Sequence, residues 1–468
     1  MKNTTHLIFG MLALTFGMEV KAQIQLPSVF SDGMVLQQNS KVAVWGWGNP
    51  SETLMILSEW NPGDTVRTVV DNQGRWKAEV PTGRAGGPYT LEVKGGNDSR
   101  KLSDVMLGEV WLCSGQSNME WSANMGIMNG EQEVKQAASP SVRIFHNPKQ
   151  GADTPKTDCR TKWEVATPES MRKTSATAYF FARYLTEHLK VPVGILVSAW
   201  GGTPAEVWTP AEIVEKDEIL SKNKLKDYPW WPIKPGVLYN QMIHPLVPYQ
   251  IAGCIWYQGE SNHENAPSYA RLVSKMVEAW RKDFEWDFPF YYVQIAPHTY
   301  GAKNNTPALL REQQELMLGQ VKNTAMINIS DLVENVKDIH PRNKRAIGER
   351  LACLAMDKVY GQFTGAYESP CLHDARVVKR NLEVTLEGNF NTLHSTTKEV
   401  TGLTVVDCTG KQVAVNARLK GKSLQIPLRG LKAPYQVYYC FDEATIGSLR
   451  TDADMPVLPF RTAKIEVK

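Results

Sequence analysis

The sequence predicts an α/β protein, a three-layer, doubly wound parallel sheet with antiparallel β-sandwich structure flanking it in the chain. Three observations carry this. Between about residues 105 and 362 the apolar runs are continuous and alternate with helical stretches, as they do when parallel strands are buried on both faces. Before and after that stretch, apolar and polar residues alternate singly and are interrupted by Gly, Pro, Asn or Asp. The chain has 468 residues, too many for one core, since single cores stop growing at about 250–300 residues.

The elements follow in order. Residues 1–22 have an early lysine, an apolar stretch from Leu7 to Met18 and a small residue closing Val20-Lys21-Ala22, the layout of a cleavable secretory signal. That stretch is too short to span a bilayer, and no later run is long enough, so the expectation is an exported protein, periplasmic or secreted, without a membrane span. Residues 23–104 read as a β-sandwich domain. Runs such as Val42–Trp47, Gly74–Val80 and Tyr89–Val93 have period two, and turn clusters such as Asn61-Pro62-Gly63-Asp64 separate them. Residues 105–364 read as the doubly wound domain, with strands at Glu109–Cys113, Val193–Ser198, Ile251–Tyr257, Phe290–Ile295 and Ala325–Ile329. Its helices are expected at Ala176–Leu189, Ser268–Asp283, Leu309–Gly319 and Lys344–Val359. Residues 365–468 return to short strands, at Leu382–Leu386, Gly402–Val406, Ser423–Ile426 and Gln436–Phe441, and form a second β domain or complete the first.

Composition excludes some functions. Fifty-two Lys and Arg against 49 Asp and Glu leave a net charge of +3 with both signs mixed, so there is no basic stripe for nucleic acid. The seven cysteines show no C-x-x-C pair or zinc-ligand spacing; in an oxidising compartment Cys371, Cys408 and Cys440 could supply one bridge.

In an open parallel sheet ligands gather at the carboxyl ends of the strands, and three polar clusters fall there. Gly115-Gln116-Ser117-Asn118 follows the strand ending at Cys113, where a glycine lets the chain turn and presents Ser117 as a candidate nucleophile. As a bare G-x-S this is equally the pattern of a turn or helix-cap serine. Trp200-Gly201-Gly202-Thr203 follows the next strand, and paired glycines allow backbone N–H groups to approach a developing negative charge. Gln258-Gly259-Glu260-Ser261-Asn262 closes a third strand with two amides and a carboxylate, where a hydrogen-bonded structural loop is the plainer alternative. A fourth cluster, Asp338-Ile339-His340-Pro341, opens a helix and could supply an imidazole base with a carboxylate to orient it. Among the other histidines His263 competes, being adjacent to the third cluster.

Taken together these blocks resemble those of the SGNH hydrolases, a flavodoxin-like fold, and more closely the sialate O-acetylesterase family. Gly108–Trp121 is similar to that family's nucleophile block, Trp256–Asn262 to its third and Asp338–Lys344 to its last. Leu26–Gln37 and Leu458–Thr462 resemble the beginning and end of family members. The resemblance implies a serine esterase with Ser117 as nucleophile and His340 as general base. The Ser117 N–H, an N–H of Gly201 or Gly202 and the Asn262 side chain would form the oxyanion hole, with Gln116, Gln258 and Glu260 in substrate-binding or supporting roles. Many SGNH hydrolases place an acid three residues before the histidine, whereas here Asp338 stands two before. Asp338 is the first choice for the third member; Glu260, or a Ser-His dyad without a carboxylate, are the alternatives.

The implied activity is hydrolysis of O-acetyl esters of a sugar, first of all O-acetylated sialic acid, with no metal or organic cofactor. Acetylxylan or another acetylated polysaccharide is the alternative substrate, and a non-catalytic glycan-binding protein the alternative of another class. Trp60, Trp200, Trp208, Trp230 and Trp231 are candidates to stack on sugar faces, and the Pro-rich segment Asp227–Tyr239 is the candidate pocket wall.

Overall fold

The protein is described by a computed structural model covering residues 23–466 except 97, 303 and 304. The secretory signal expected over 1–22 lies outside the described residues.

The fold is organised around one long strand, β1 (Ser99–Gly115). Its first half pairs antiparallel with Gly86–Lys94, and its second half is the central strand of a parallel sheet. Residues 104 and 105 are therefore neighbours within a single strand. A one-turn helix, α1 (Ser117–Glu120), follows it directly. The sheet continues with β2 (Ser139–His146), β3 (Trp163–Ala166), helix α2 (Ala176–Leu189), β4 (Val193–Ala199) and β5 (Gly253–Tyr257). After these come α3 (Tyr269–Asp283), β6 (Phe290–Val293), α4 (Thr306–Gln320), β7 (Thr324–Ile327) and α5 (Lys344–Lys358). The strand order is β7-β6-β5-β1-β4-β2-β3, parallel except for β3, which runs antiparallel to β2.

The continuous apolar runs have a direct cause. Successive side chains of a strand point to opposite faces, and here both faces are covered. Val110 and Leu112 enter one core with α3 and α4, whereas Trp111 and Cys113 enter the other with α2 and α5. The sandwich strands near the amino terminus share the first of these cores: Val42, Val44, Leu54, Ile56 and Trp76 pack into the same cluster as Trp256 and Trp280. Beyond α5, the strands Asn381–Glu387 and Ser423–Pro427 pair in one sheet and Leu403–Val406 and Gln436–Tyr439 in another, around a core of their own. A bidentate Arg461–Glu312 pair, with both bonds at 2.8 Å, ties this unit to α4, and the buried Arg311 guanidinium donates to the carbonyls of Cys440 and Asp442.

β2 and β3 were not expected from sequence. Ser139–His146 contains a proline and reaches a run of buried residues only at its end, and Trp163–Ala166 is a four-residue edge strand with two exposed positions. Neither carries an apolar pattern long enough to stand out. All seven cysteines are free thiols, including Cys371, Cys408 and Cys440.

Candidate active site

The carboxyl ends of β1, β4 and β5 meet at one cavity of about 490 Å³. Gly115 ends β1 at φ +140°, and a Cβ there would lie 2.2 Å from the Tyr257 carbonyl oxygen, so only glycine fits between the two strand ends. The Gln116 N–H donates to that carbonyl at 3.0 Å, and the chain turns so that Ser117 opens α1 facing the cavity.

His340 arrives from the loop before α5, and its Nε2 lies 3.0 Å from Ser117 Oγ. Its ring stacks on Trp121 at 3.9 Å and 21°, and the Trp121 indole is itself held by donating to the Gly126 carbonyl at 2.9 Å. Asp338 accepts the His340 backbone N–H at 3.0 Å, and the same oxygen stands 3.7 Å from His340 Nδ1, outside hydrogen-bond range. The Arg342 guanidinium holds the other oxygen at 3.2 Å. Partial burial would raise the Asp338 carboxyl, but the His340 N–H and Arg342 outweigh it and hold it below its ordinary value. Burial, followed by the positive charge of Lys344, pushes His340 down to about 4, so the imidazole is neutral and able to accept a proton through the neutral range.

A buried polar cluster lies beneath the pair. Asn118, next to the serine and fully buried, donates from Nδ2 to Glu260 Oε1 at 2.6 Å and to the carbonyl of Ile339, the residue before His340, at 3.0 Å. Its Oδ1 accepts from Lys344 Nζ at 2.6 Å. One amide thus joins the serine turn to the histidine loop. Burial raises Glu260 and pushes Lys344 down to about 7, with each charge partly offsetting the other's penalty. Glu260 is bound here to Asn118.

Of the oxyanion-hole donors expected from sequence, Gly201 and Asn262 are engaged elsewhere. The Gly201 N–H is taken by Glu120 Oε2 at 2.5 Å, while Glu120 Oε1 pairs with Lys149 at 2.7 Å. The Gly202 N–H has no protein acceptor among the described residues. Asn262, 1% exposed, donates from Nδ2 to the buried Glu206 at 2.8 Å, and its Oδ1 accepts from the Ala205 N–H and from Gln258 Nε2. Asn262 and Gln258 are therefore a bracket between the loops after β4 and β5 and do not line the cavity. The reason is local: β4 runs into a turn that buries Glu206, and that carboxylate needs amide donors. Gln116 does line the cavity, with its Oε1 held by the Ser261 N–H at 3.2 Å. His263 also lines the cavity, with its ring tilted against Tyr300 at 4.6 Å and its Nδ1 3.4 Å from Thr306 Oγ1, so it is His340 that meets the serine.

Asn118, Glu120, Trp121, Lys149 and Lys344 had no role assigned from sequence. Glu120 stands three residues after Ser117, a spacing that puts both on one face of a helical turn, and this signal could have found it. Lys149 and Lys344 are brought in by tertiary packing and left no local trace.

The profile of the carbohydrate esterase family described as sialic acid-specific acetylesterase matches residues 107–357. The chain belongs to this family. The sialate O-acetylesterase of Homo sapiens is 30% identical over 381 residues, covering 73% of this chain and 72% of that one. The enzyme of the same name from Mus musculus is 28% identical over 432 residues, covering 78% and 79%. The crystal structure of a carbohydrate acetylesterase from Xanthomonas citri superposes with a TM-score of 0.85 at 33% identity, covering 94% of this chain and 99% of that one. The protein is thus a carbohydrate esterase whose substrates are O-acetylated sugars. Among the described residues, no helix of the esterase is long and apolar enough to cross a membrane.

Proposed function

We propose that the esterase removes O-acetyl groups from sialic acid through a Ser117 acyl-enzyme. The observation that carries the mechanism is the 3.0 Å approach of His340 Nε2 to Ser117 Oγ inside the cavity. His340 takes the hydroxyl proton as Oγ attacks the acetyl carbonyl. The N–H groups of Ser117 and Gly202, with the Gln116 amide, receive the oxyanion. His340 then protonates the departing sugar oxygen, and a water activated by the same imidazole releases acetate. Asp338 serves as orienting acid and closes on Nδ1 when the ring becomes charged.

Two features favour an acidic sugar. Of the cavity's three lysines, Lys149 is paired with Glu120 and Lys226 with Glu264, which leaves Lys224 to meet a carboxylate-bearing substrate. The mammalian relatives carry the name sialate O-acetylesterase. The second reading, an O-acetylesterase of a neutral polysaccharide, rests on the Xanthomonas citri neighbour, whose name specifies a carbohydrate acetylesterase without restriction to sialic acid. The two separate on acetate release from O-acetylated sialic acid and from acetylated xylan. Sialate turnover that disappears in Ser117→Ala and His340→Ala supports the first reading, and turnover of xylan alone supports the second. Export to the periplasm or medium is part of the proposal, on the leader-like residues 1–22; recovery of the full-length product in the cytoplasm with its leader intact would refute it.

A further inference from the structure

We propose that the turn Tyr228–Trp231 is a second sugar subsite, which holds the ring next to the acetylated one, so that the esterase works on oligosaccharides in preference to free monosaccharides. The inference rests on the carbohydrate reading above and extends it to the length of the substrate.

The turn is built to show aromatic faces. Trp231 N–H donates to the Tyr228 carbonyl at 3.2 Å, a tight reversal that leaves three aromatic rings on four residues. Tyr228 meets the Trp231 ring edge-on at 4.9 Å, and Trp230 meets it at 5.9 Å and 78°. The two indoles are placed differently. Trp231 lines the catalytic cavity and lies against Gly202, where an added Cβ would come within 2.1 Å of its ring, so the indole is seated on the turn after β4. Trp230 stands outside, 62% exposed.

The turn is anchored to the catalytic loops. Lys226 pairs with Glu264 at 2.7 Å, and the Asn265 amide donates to the Lys224 carbonyl at 2.9 Å; both partners belong to the loop after β5. The segment leading into the turn is therefore tied to the loop after β5, and the exposed indole packs on Tyr228 at 5.8 Å and Trp231 at 5.9 Å beside the cavity. Sugars present an apolar C–H face bounded by hydroxyls, which matches an aromatic ring with one apolar side and a wet rim. A cavity of about 490 Å³ has room for one acetylated ring at Ser117, and Trp231 lines it, so Trp230, 5.9 Å from Trp231, is placed to meet the next ring of a glycan.

The test uses the full chain and two matched pairs of acetylated sugars: free O-acetylated sialic acid against O-acetylated sialyllactose, and acetylated xylose against acetylated xylotetraose. In whichever pair is cleaved, the oligosaccharide should have the lower KM. Trp230→Ala should raise that KM about tenfold with kcat unchanged, the loss of one aromatic anchor. The variant should leave the monosaccharide and p-nitrophenyl acetate unaffected, and Trp230→Phe should restore most of the length preference. Cleavage with no length preference, or a preference that survives Trp230→Ala, overturns the subsite while leaving the esterase reading intact. Turnover of p-nitrophenyl acetate with no turnover of any sugar overturns the carbohydrate reading and the subsite with it.

Discussion

In the proposed mechanism His340 must be neutral to take the Ser117 proton, and burial with the Lys344 charge pushes it down to about 4, against an ordinary histidine value near 6.5. The acid limb of p-nitrophenyl acetate hydrolysis should therefore lie near pH 4, with activity flat above it. Lys344→Met removes the like charge, so the limb should move upward; an unchanged limb would show that Lys344 does not act on the imidazole. The same depression links to stability. Between about 4 and 6.5 the unfolded chain binds a proton at this histidine that the folded chain does not, so its contribution to stability is lost as pH falls through that window. Ser117 and His340 were both legible as residue types at the right strand end and helix start. Asn262 was misleading in a specific way: the sequence shows an amide at a ligand-binding edge, but nothing near it in the chain says that Glu206, from another loop, takes its donor.

The proposed mechanism needs two loops held together, the turn after β1 and the loop before α5, and Asn118 joins them by donating to the Ile339 carbonyl. Asn118→Ala should lower kcat about 10- to 100-fold while leaving KM within a few-fold, because misplacing the imidazole by a fraction of an ångström costs positioning and not binding. Steady-state kinetics checks this, with circular dichroism to show that the fold is kept. Gly115 is the other constraint on this turn. Gly115→Ala combines a positive φ with a 2.2 Å approach to the Tyr257 carbonyl and should destabilise the protein by about 3 kcal/mol or more, read from denaturant unfolding. Elements with long apolar runs or strong periodicity were legible: Ala176–Leu189 is found as expected, and α3 and α5 differ from expectation by a residue at an end. The chain between β4 and β5 was not, since it proceeds by short 3₁₀ and π turns whose stability comes from packing against the core.

Across the whole molecule, the sandwich near the amino terminus and the α/β sheet share a core, while the β unit beyond α5 keeps its own. Sequence texture differs among the three regions, because strand alternation changes when a sheet goes from one covered face to two. It could not show that β1 runs unbroken through two sheets, since each half has the pattern proper to its own surroundings. With all seven thiols free, adding reductant should leave the melting temperature unchanged; a fall of several degrees would reveal a bridge among Cys371, Cys408 and Cys440. The fold thus brings Ser117 and His340 together in one cavity at the carboxyl ends of three strands, and the decisive measurement is direct. Acetate release from O-acetylated sialic acid should be measured for the wild type and for Ser117→Ala at matched folding. A loss of about 1,000-fold or more in kcat is expected if Oγ is the nucleophile. A folded Ser117→Ala variant that keeps activity within tenfold would contradict the acyl-enzyme at Ser117.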